Sequence, residues 1–119
     1  MSGVSIDCLF CRIAAGDIPV TVVRETENTL AFRDIAPAAP VHVLVIPKTH
    51  YADVATLAQD DPALAGELLN TAAVVAESEG MLADGFRLIF NTGEYGGQEV
   101  FHAHAHLLGG APMGPMVNP

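Results

Sequence analysis

The sequence is poor in positive charge. Of its 119 residues only five are lysine or arginine, against fourteen aspartates and glutamates, and the formal net charge is -9. A surface that negative repels phosphate backbones, which excludes long nucleic acid and anionic membrane faces as partners. A few oriented backbone amides can still hold a small anion. The start carries no basic stretch followed by an apolar one, so no targeting signal is read there. Long apolar runs are missing too: the densest, 41–46, is interrupted by His42 and falls far short of the roughly 18 residues of a membrane span. Cysteine is scarce, and the two present, in Cys8-Leu9-Phe10-Cys11, sit too close for a stapling framework. Internal repeats and low-complexity stretches are absent. What is left is a soluble, cytoplasmic domain. Half of the residues are hydrophobic and 16% are charged, enough to fill one core, and the length suits one domain over 1–119, with 111–119 an irregular tail.

Local signals order the chain. Asp7 is placed to cap a short helix reaching Ala15, closed by Gly16 and Pro19. Residues 21–25 and 29–33 carry β-branched and aromatic side chains, with Glu27-Asn28 as the turn of a hairpin. Pro37 and Pro40 make 34–40 a loop. A buried strand follows at 41–46, stopped by Pro47. Asp61-Pro62 joins a capping carboxylate to a proline at the first helical position. Leu64, Leu68, Leu69, Ala72 and Val75 then keep the helical period to about Gly80. A strand at 86–90, a glycine-rich loop at 91–98 and a last strand at 100–108 complete the order. This predicts an α+β fold, a mainly antiparallel five-stranded sheet with one short and one long helix.

All five histidines fall in two segments: His42 and His50 around the third strand, and His102, His104 and His106 on the last. On a strand the last three share one face, and Phe101, Ala103, Ala105 and Leu107 take the other. Same-face neighbours lie about 6.6–7 Å apart and the outer pair roughly 13 Å, whereas zinc holds an imidazole nitrogen at about 2.0–2.1 Å. One ion can take a converging pair but hardly all three, so the row is divided between jobs. Packed, hydrogen-bonded histidines are the bland alternative and a pH sensor another. Each buried ring needs a polar partner, and three on one apolar strand favour function. Cys8 and Cys11 have the spacing of half a zinc site, with His50 a candidate third ligand. A redox pair or two buried thiols also satisfy a single Cys-x-x-Cys, although the redox reading lacks its strand-then-helix context. The loop Asn91-Thr92-Gly93-Glu94-Tyr95-Gly96-Gly97-Gln98 leads into the histidines. Its glycines let backbone N–H groups approach a phosphate, and Gln98 adds an amide donor.

Phe101-His102-Ala103-His104-Ala105-His106-Leu107-Leu108 resembles the histidine triad motif, His-φ-His-φ-His-φ-φ. Residues 8–19, 31–35, 40–50 and 96–110 are each similar to blocks of the Hint branch of histidine triad nucleotide-binding proteins, so the resemblance covers nearly the whole chain. It implies a purine nucleoside phosphoramidase that cleaves P–N or acyl-phosphate bonds through a nucleotidyl-histidine and releases a nucleoside monophosphate. By motif position His104 is the nucleophile, with His106 and His42 hydrogen-bonding phosphate or neighbouring rings. Asp34 would hold the ribose hydroxyls. Leu9, Phe10, Ile13, Phe32 and Ile35 would line the base pocket, and Asn91 and Gln98 would contact phosphate, with Gly97 and Val100 completing the nucleotide set. Cys8, Cys11, His50 and His102 match the structural zinc set of the metal-bearing relatives. No catalytic metal is implied, and no carboxylate cluster suited to magnesium is seen. A homodimer whose sheets join across a two-fold axis is implied as well, with the alanine-rich helix a natural contact surface.

Two departures stand out. Glu99 occupies a position near the leaving group where some family members have serine, which bears on substrate preference. Ala103 and Ala105 are smaller than usual and need a bulkier partner behind the strand. The alternatives are the sister branch that splits dinucleoside polyphosphates and a nucleotide-binding interaction protein without catalysis.

Overall fold

The β-branched runs pair as a sheet and the alanine- and leucine-rich segment packs across it. The computed structural model describes residues 8–117. Asp7 lies outside them, and Cys8 caps α1 (Leu9–Ala14), its Sγ accepting from the Cys11 N–H at 3.3 Å. A hairpin of β1 (Val22–Glu25) and β2 (Thr29–Arg33) leads to β3 (Val41–Pro47). A second helix, α2 (Val54–Asp60), then precedes α3 (Pro62–Ser78), β4 (Arg87–Phe90) and β5 (Ala105–Gly109).

The expected pair of helices is thus three. Helix α2 is held by the Asp53 carboxylate, which accepts from the Thr56 N–H at 2.8 Å, and it buries one side chain, Leu57. Asp61 serves both helices: its N–H bonds the Leu57 carbonyl at 2.8 Å, and its carboxylate accepts from the Leu64 N–H at 3.1 Å. So short a helix, with one apolar anchor, has no period to read.

The five strands are antiparallel in the order β1-β2-β3-β5-β4. Alternation splits them between two layers. On one face Ala31, Val43, Val45, Ala105 and Leu107 share a buried cluster with Leu57 of α2 and Leu64, Leu68, Ala72 and Val75 of α3. Those leucines supply the bulk that Ala103 and Ala105 need, since both alanines are buried in the same cluster. A buried Thr29–Thr71 hydroxyl bond of 2.8 Å ties β2 to α3, and Arg33 forks onto Glu79 at 2.9 and 3.1 Å. On the other face Leu30, Phe32, Leu44 and Ile46 pack against Phe10 and Ile13 of α1.

The last strand is shorter than expected. Its ladder begins at Ala105, paired with Phe90 at the end of β4 and with Val45 of β3, and residues 100–104 lie outside it. The reason is local. The Pro47 carbonyl receives the His102 Nε2–H at 2.8 Å, and the Ala103 N–H goes to the Tyr51 carbonyl at 2.7 Å. Side-chain and loop bonds replace the ladder. No helix among the described residues is long and apolar enough to cross a membrane.

Candidate active site and metal centre

Three segments bring four metal-type ligands together. Cys8 and Cys11 come from the start of α1, His50 from just past β3, and His102 from the segment before β5. Their donor atoms all lie within 4.8 Å of one another. Cys11 Sγ is 3.3 Å from His50 Nδ1 and 3.5 Å from His102 Nδ1, Cys8 Sγ is 3.4 Å from His102 Nδ1, and the two nitrogens are 3.2 Å apart. A tetrahedral zinc has N–N edges of ~3.3 Å and N–S edges of ~3.5 Å, so the donor set fits one ion. The tautomer fits as well. His102 gives its Nε2–H to the Pro47 carbonyl, which leaves the Nδ1 lone pair facing the cluster. Burial pushes the His102 imidazole down to about 4, consistent with a neutral ligand ring.

A second chain of rings runs through His42, His106 and His104. The Ala38 N–H donates to His42 Nδ1 at 3.0 Å, so neutral His42 carries its proton on Nε2. That N–H points at His106 Nδ1, 3.0 Å away, and the His106 proton is therefore on Nε2. His104 is set the other way. Its Nδ1–H donates to the His102 carbonyl at 2.7 Å, which leaves Nε2 with a lone pair. Neither Nε2, on His104 or on His106, is a buried atom without a partner. Both rings line a cavity of about 260 Å³. Burial lowers the His104 imidazole, against the opposing pull of its bond to the His102 carbonyl and of Asp34. His106 goes down to about 4, through burial first and then its neighbours His104 and His42. Phe10 packs edge-on to His104, ring centres 5.0 Å apart at 86°, and to His102 at 6.0 Å, so one aromatic ring buttresses both clusters.

Asp34, His42 and His106 also bring three ligand-type atoms within 4.8 Å. The Ala38 N–H makes this a poor metal site. It obliges His42 to present an N–H where a cation would need a lone pair.

Phe10, Asp34, Asn91, Gly97, Val100, His104 and His106 line the cavity, together with Leu44 and Glu99. The Asp34 carboxylate accepts from the Ala36 N–H at 2.8 Å and sits 3.5 Å from His42 Nε2. Other residues of the expected nucleotide set lie elsewhere. Phe32 and Ile13 are buried in the core under α1, while Leu9 and Ile35 face outward. Gln98 is turned away from the cavity's lining: its amide nitrogen bonds the Ala52 and Val100 carbonyls at 2.7 and 3.0 Å, and its oxygen takes the Gly93 N–H at 2.9 Å. It shapes the glycine loop. Within that loop a Cβ on Gly96 would stand 2.8 Å from the Thr92 nitrogen, so the turn requires glycine.

A family model described as the HIT domain matches residues 15–113. The chain belongs to the HIT domain family. It is 43% identical over 111 residues to a protein of Escherichia coli strain K12 named purine nucleoside phosphoramidase, the match spanning 93% of each chain. A HIT family hydrolase from Clostridium thermocellum superposes with a TM-score of 0.90 at 44% identity, covering 96% of this chain and 99% of that one. Another from Legionella pneumophila gives 0.87 at 52% identity, with 91% and 96% covered. This HIT chain is an enzyme of the hydrolase class. Sequence reading had no means to find the groups that set its histidine tautomers. The Ala38 N–H and the Pro47 and His102 carbonyls are backbone atoms, and no residue type announces them.

Proposed function

We propose that the chain is a purine nucleoside phosphoramidase, releasing an amine and a nucleoside monophosphate. The observation that carries this reading is the orientation of His104. Its Nδ1–H is held on the His102 carbonyl, so the Nε2 lone pair is the atom free to attack in the cavity. Neutral imidazole is nucleophilic near pH 7, and its phosphorus adduct is labile to water.

The steps balance as follows. The Nε2 pair bonds to phosphorus while the substrate P–N bond breaks. Its electrons stay on the amine nitrogen, which takes a proton from solvent and leaves as the neutral amine. In the second step water puts its oxygen on phosphorus and releases two protons, and the pair of the P–N(His104) bond returns to Nε2. One proton replaces that taken from solvent and the other turns the amine into ammonium. The net change turns a phosphoramidate and one water into a nucleoside monophosphate and an ammonium ion. His106 Nε2–H would donate to a non-bridging phosphate oxygen and stabilise charge there. Asp34 would accept the ribose hydroxyls, and Phe10, Leu44 and Val100 offer the apolar lining for the base. Asn91 and Gly97, which line the same cavity, would contact the phosphate. A structural zinc would be held by Cys8, Cys11, His50 and His102, cross-linking α1 to the segments after β3 and before β5. It takes no part in the chemistry. The reading includes a cytoplasmic homodimer in which β4, paired among the described residues with β5 alone, extends the sheet. Light scattering at micromolar concentration tests that, and a particle of one chain's mass counts against it.

The decisive experiment is amine release from an adenosine phosphoramidate by wild type and His104→Ala. The wild type is expected to turn over, and the variant to lose at least about a thousandfold. Intact-protein mass spectrometry of a quenched reaction should find one nucleotidyl group in the wild type alone. Equal turnover in both proteins would overturn the assignment.

A further inference from the structure

The catalytic cavity has an unusual charge for a site that handles phosphate. None of the five lysines and arginines lines it. Three of them are engaged elsewhere: Arg33 with Glu79, Lys48 with Glu25, and Arg87 with the Gly114 carbonyl. Its two imidazoles, His104 and His106, offer a single Nε2 lone pair and a single Nε2–H to the cavity and no fixed positive charge. Against these stand two carboxylates, Asp34 and Glu99. Asp34 is occupied by the Ala36 N–H and lies beside His42. Glu99 is exposed and has no ion-pair partner among the described residues.

A lining of this kind tolerates one phosphate charge through neutral N–H donors, but it opposes each additional one. It also favours positive charge near Glu99. The departing amine takes up protons once the P–N bond breaks and ends as ammonium, whereas a departing phosphate chain gains negative charge. Resting on the phosphoramidase reading, we propose that Glu99 selects the leaving group by charge. It favours nucleoside phosphoramidates of amines that carry a second cationic group, and it disfavours anionic amines and polyphosphate leaving groups.

The test is a series of three adenosine phosphoramidates of matched size, made from ethylenediamine, propylamine and β-alanine. Each is assayed for kcat/KM with wild type, Glu99→Gln and Glu99→Lys at low salt. In the wild type the ammonium compound should exceed the carboxylate compound by about tenfold, with propylamine between them. The spread should shrink in 0.5 M salt, as screening of an exposed charge requires. Glu99→Gln should compress it to about twofold, and Glu99→Lys should reverse the order. Diadenosine polyphosphate cleavage, relative to the propylamine compound, should rise in Glu99→Lys. A spread unchanged in Glu99→Gln, or a flat series with an active wild type, overturns this inference and leaves the phosphoramidase reading standing. Release of no amine from any of the three by the wild type overturns both.

Discussion

Zinc should raise the melting temperature of the metal-free protein by many degrees, through four side chains on three segments. Donor spacings of 3.2–3.5 Å are already those of a tetrahedral site, so little reorganisation opposes binding. An ion that binds only the folded state stabilises it by about 4 kcal/mol at a thousandfold excess over its dissociation constant. An unfolding entropy of about 2.1 cal/mol/K per residue gives about 0.25 kcal/mol/K for 119 residues. The ratio is a rise of about 16 °C, reduced towards half if unfolded Cys8-x-x-Cys11 keeps some affinity. The assay is calorimetry of chelator-stripped protein with and without zinc, at fixed protein concentration, beside Cys11→Ser. Cys11 is buried and faces both imidazoles, so the variant should lose nearly the whole response. A rise below about 3 °C in the wild type, or an equal rise in the variant, would refute a closed structural site.

Ala38→Pro removes the N–H that sets the His42 tautomer, in a loop that already carries Pro37 and Pro40. Loss of such an orienting bond typically costs ten- to a hundredfold. We therefore expect kcat to fall by about that much, with the His42 and His106 ¹⁵N shifts changing tautomer by NMR, and unchanged shifts would defeat the argument. On acidification, the folded His106 imidazole titrates at about 4 while an unfolded one titrates near 6.5. The unfolded state thus binds a proton the folded state refuses. Stability from this group is present above the unfolded value of about 6.5 and is lost as pH falls through about 6 towards 4. Urea midpoints that stay flat from pH 7 to 5 would contradict this. Thr71→Val should cost about 1 kcal/mol, the low end for a buried hydroxyl, because Thr29 Oγ1 keeps its 2.6 Å bond to Thr26. Equilibrium unfolding with no change in midpoint would show that bond to be idle.

The sheet was legible because its strands alternate between two buried layers, and period two survives in Leu30, Phe32, Leu44 and Ile46 against Ala31, Val43 and Val45. Helix α3 announced itself through Asp61-Pro62 and its leucine spacing, and its observed start is the expected one. Helix α2 was hidden, since its cap and its single anchor Leu57 leave no pattern. The last strand misled for a related reason. Its apolar-histidine alternation continues from 101 to 107, but the backbone bonds of 100–104 go to Tyr51 and to side chains, which periodicity does not encode. The site shows the same division. Residue types and spacing pointed to Cys8, Cys11 and His50 and to a histidine row shared between jobs. The resemblance to the histidine triad family assigned His102 to the metal set and His42, His104 and His106 to the cavity. They did not separate residues that line the cavity, such as Leu44, from those buried beneath α1, such as Phe32, or holding the glycine loop, such as Gln98.

The two histidine clusters are built from the same side chains, yet they present opposite faces to a ligand, and the backbone decides which. At His102 a carbonyl takes the ring proton on Nε2, so a lone pair faces the thiols and the cluster suits a cation. At His42 a backbone N–H donates to Nδ1, so the far nitrogen keeps its proton and passes that polarity through His106 to the cavity. His104 stands between them. The carbonyl of a metal-cluster residue holds its Nδ1–H, and it faces the cavity with a lone pair beside a neighbouring N–H donor. A lone pair and an N–H donor adjacent in one cavity are what the proposed attack on a phosphorus centre requires. Neither follows from counting histidines. Both follow from whether the nearest backbone group is a C=O or an N–H, a choice made where the chain leaves the ladder at Pro47 and turns through Pro37-Ala38-Ala39-Pro40.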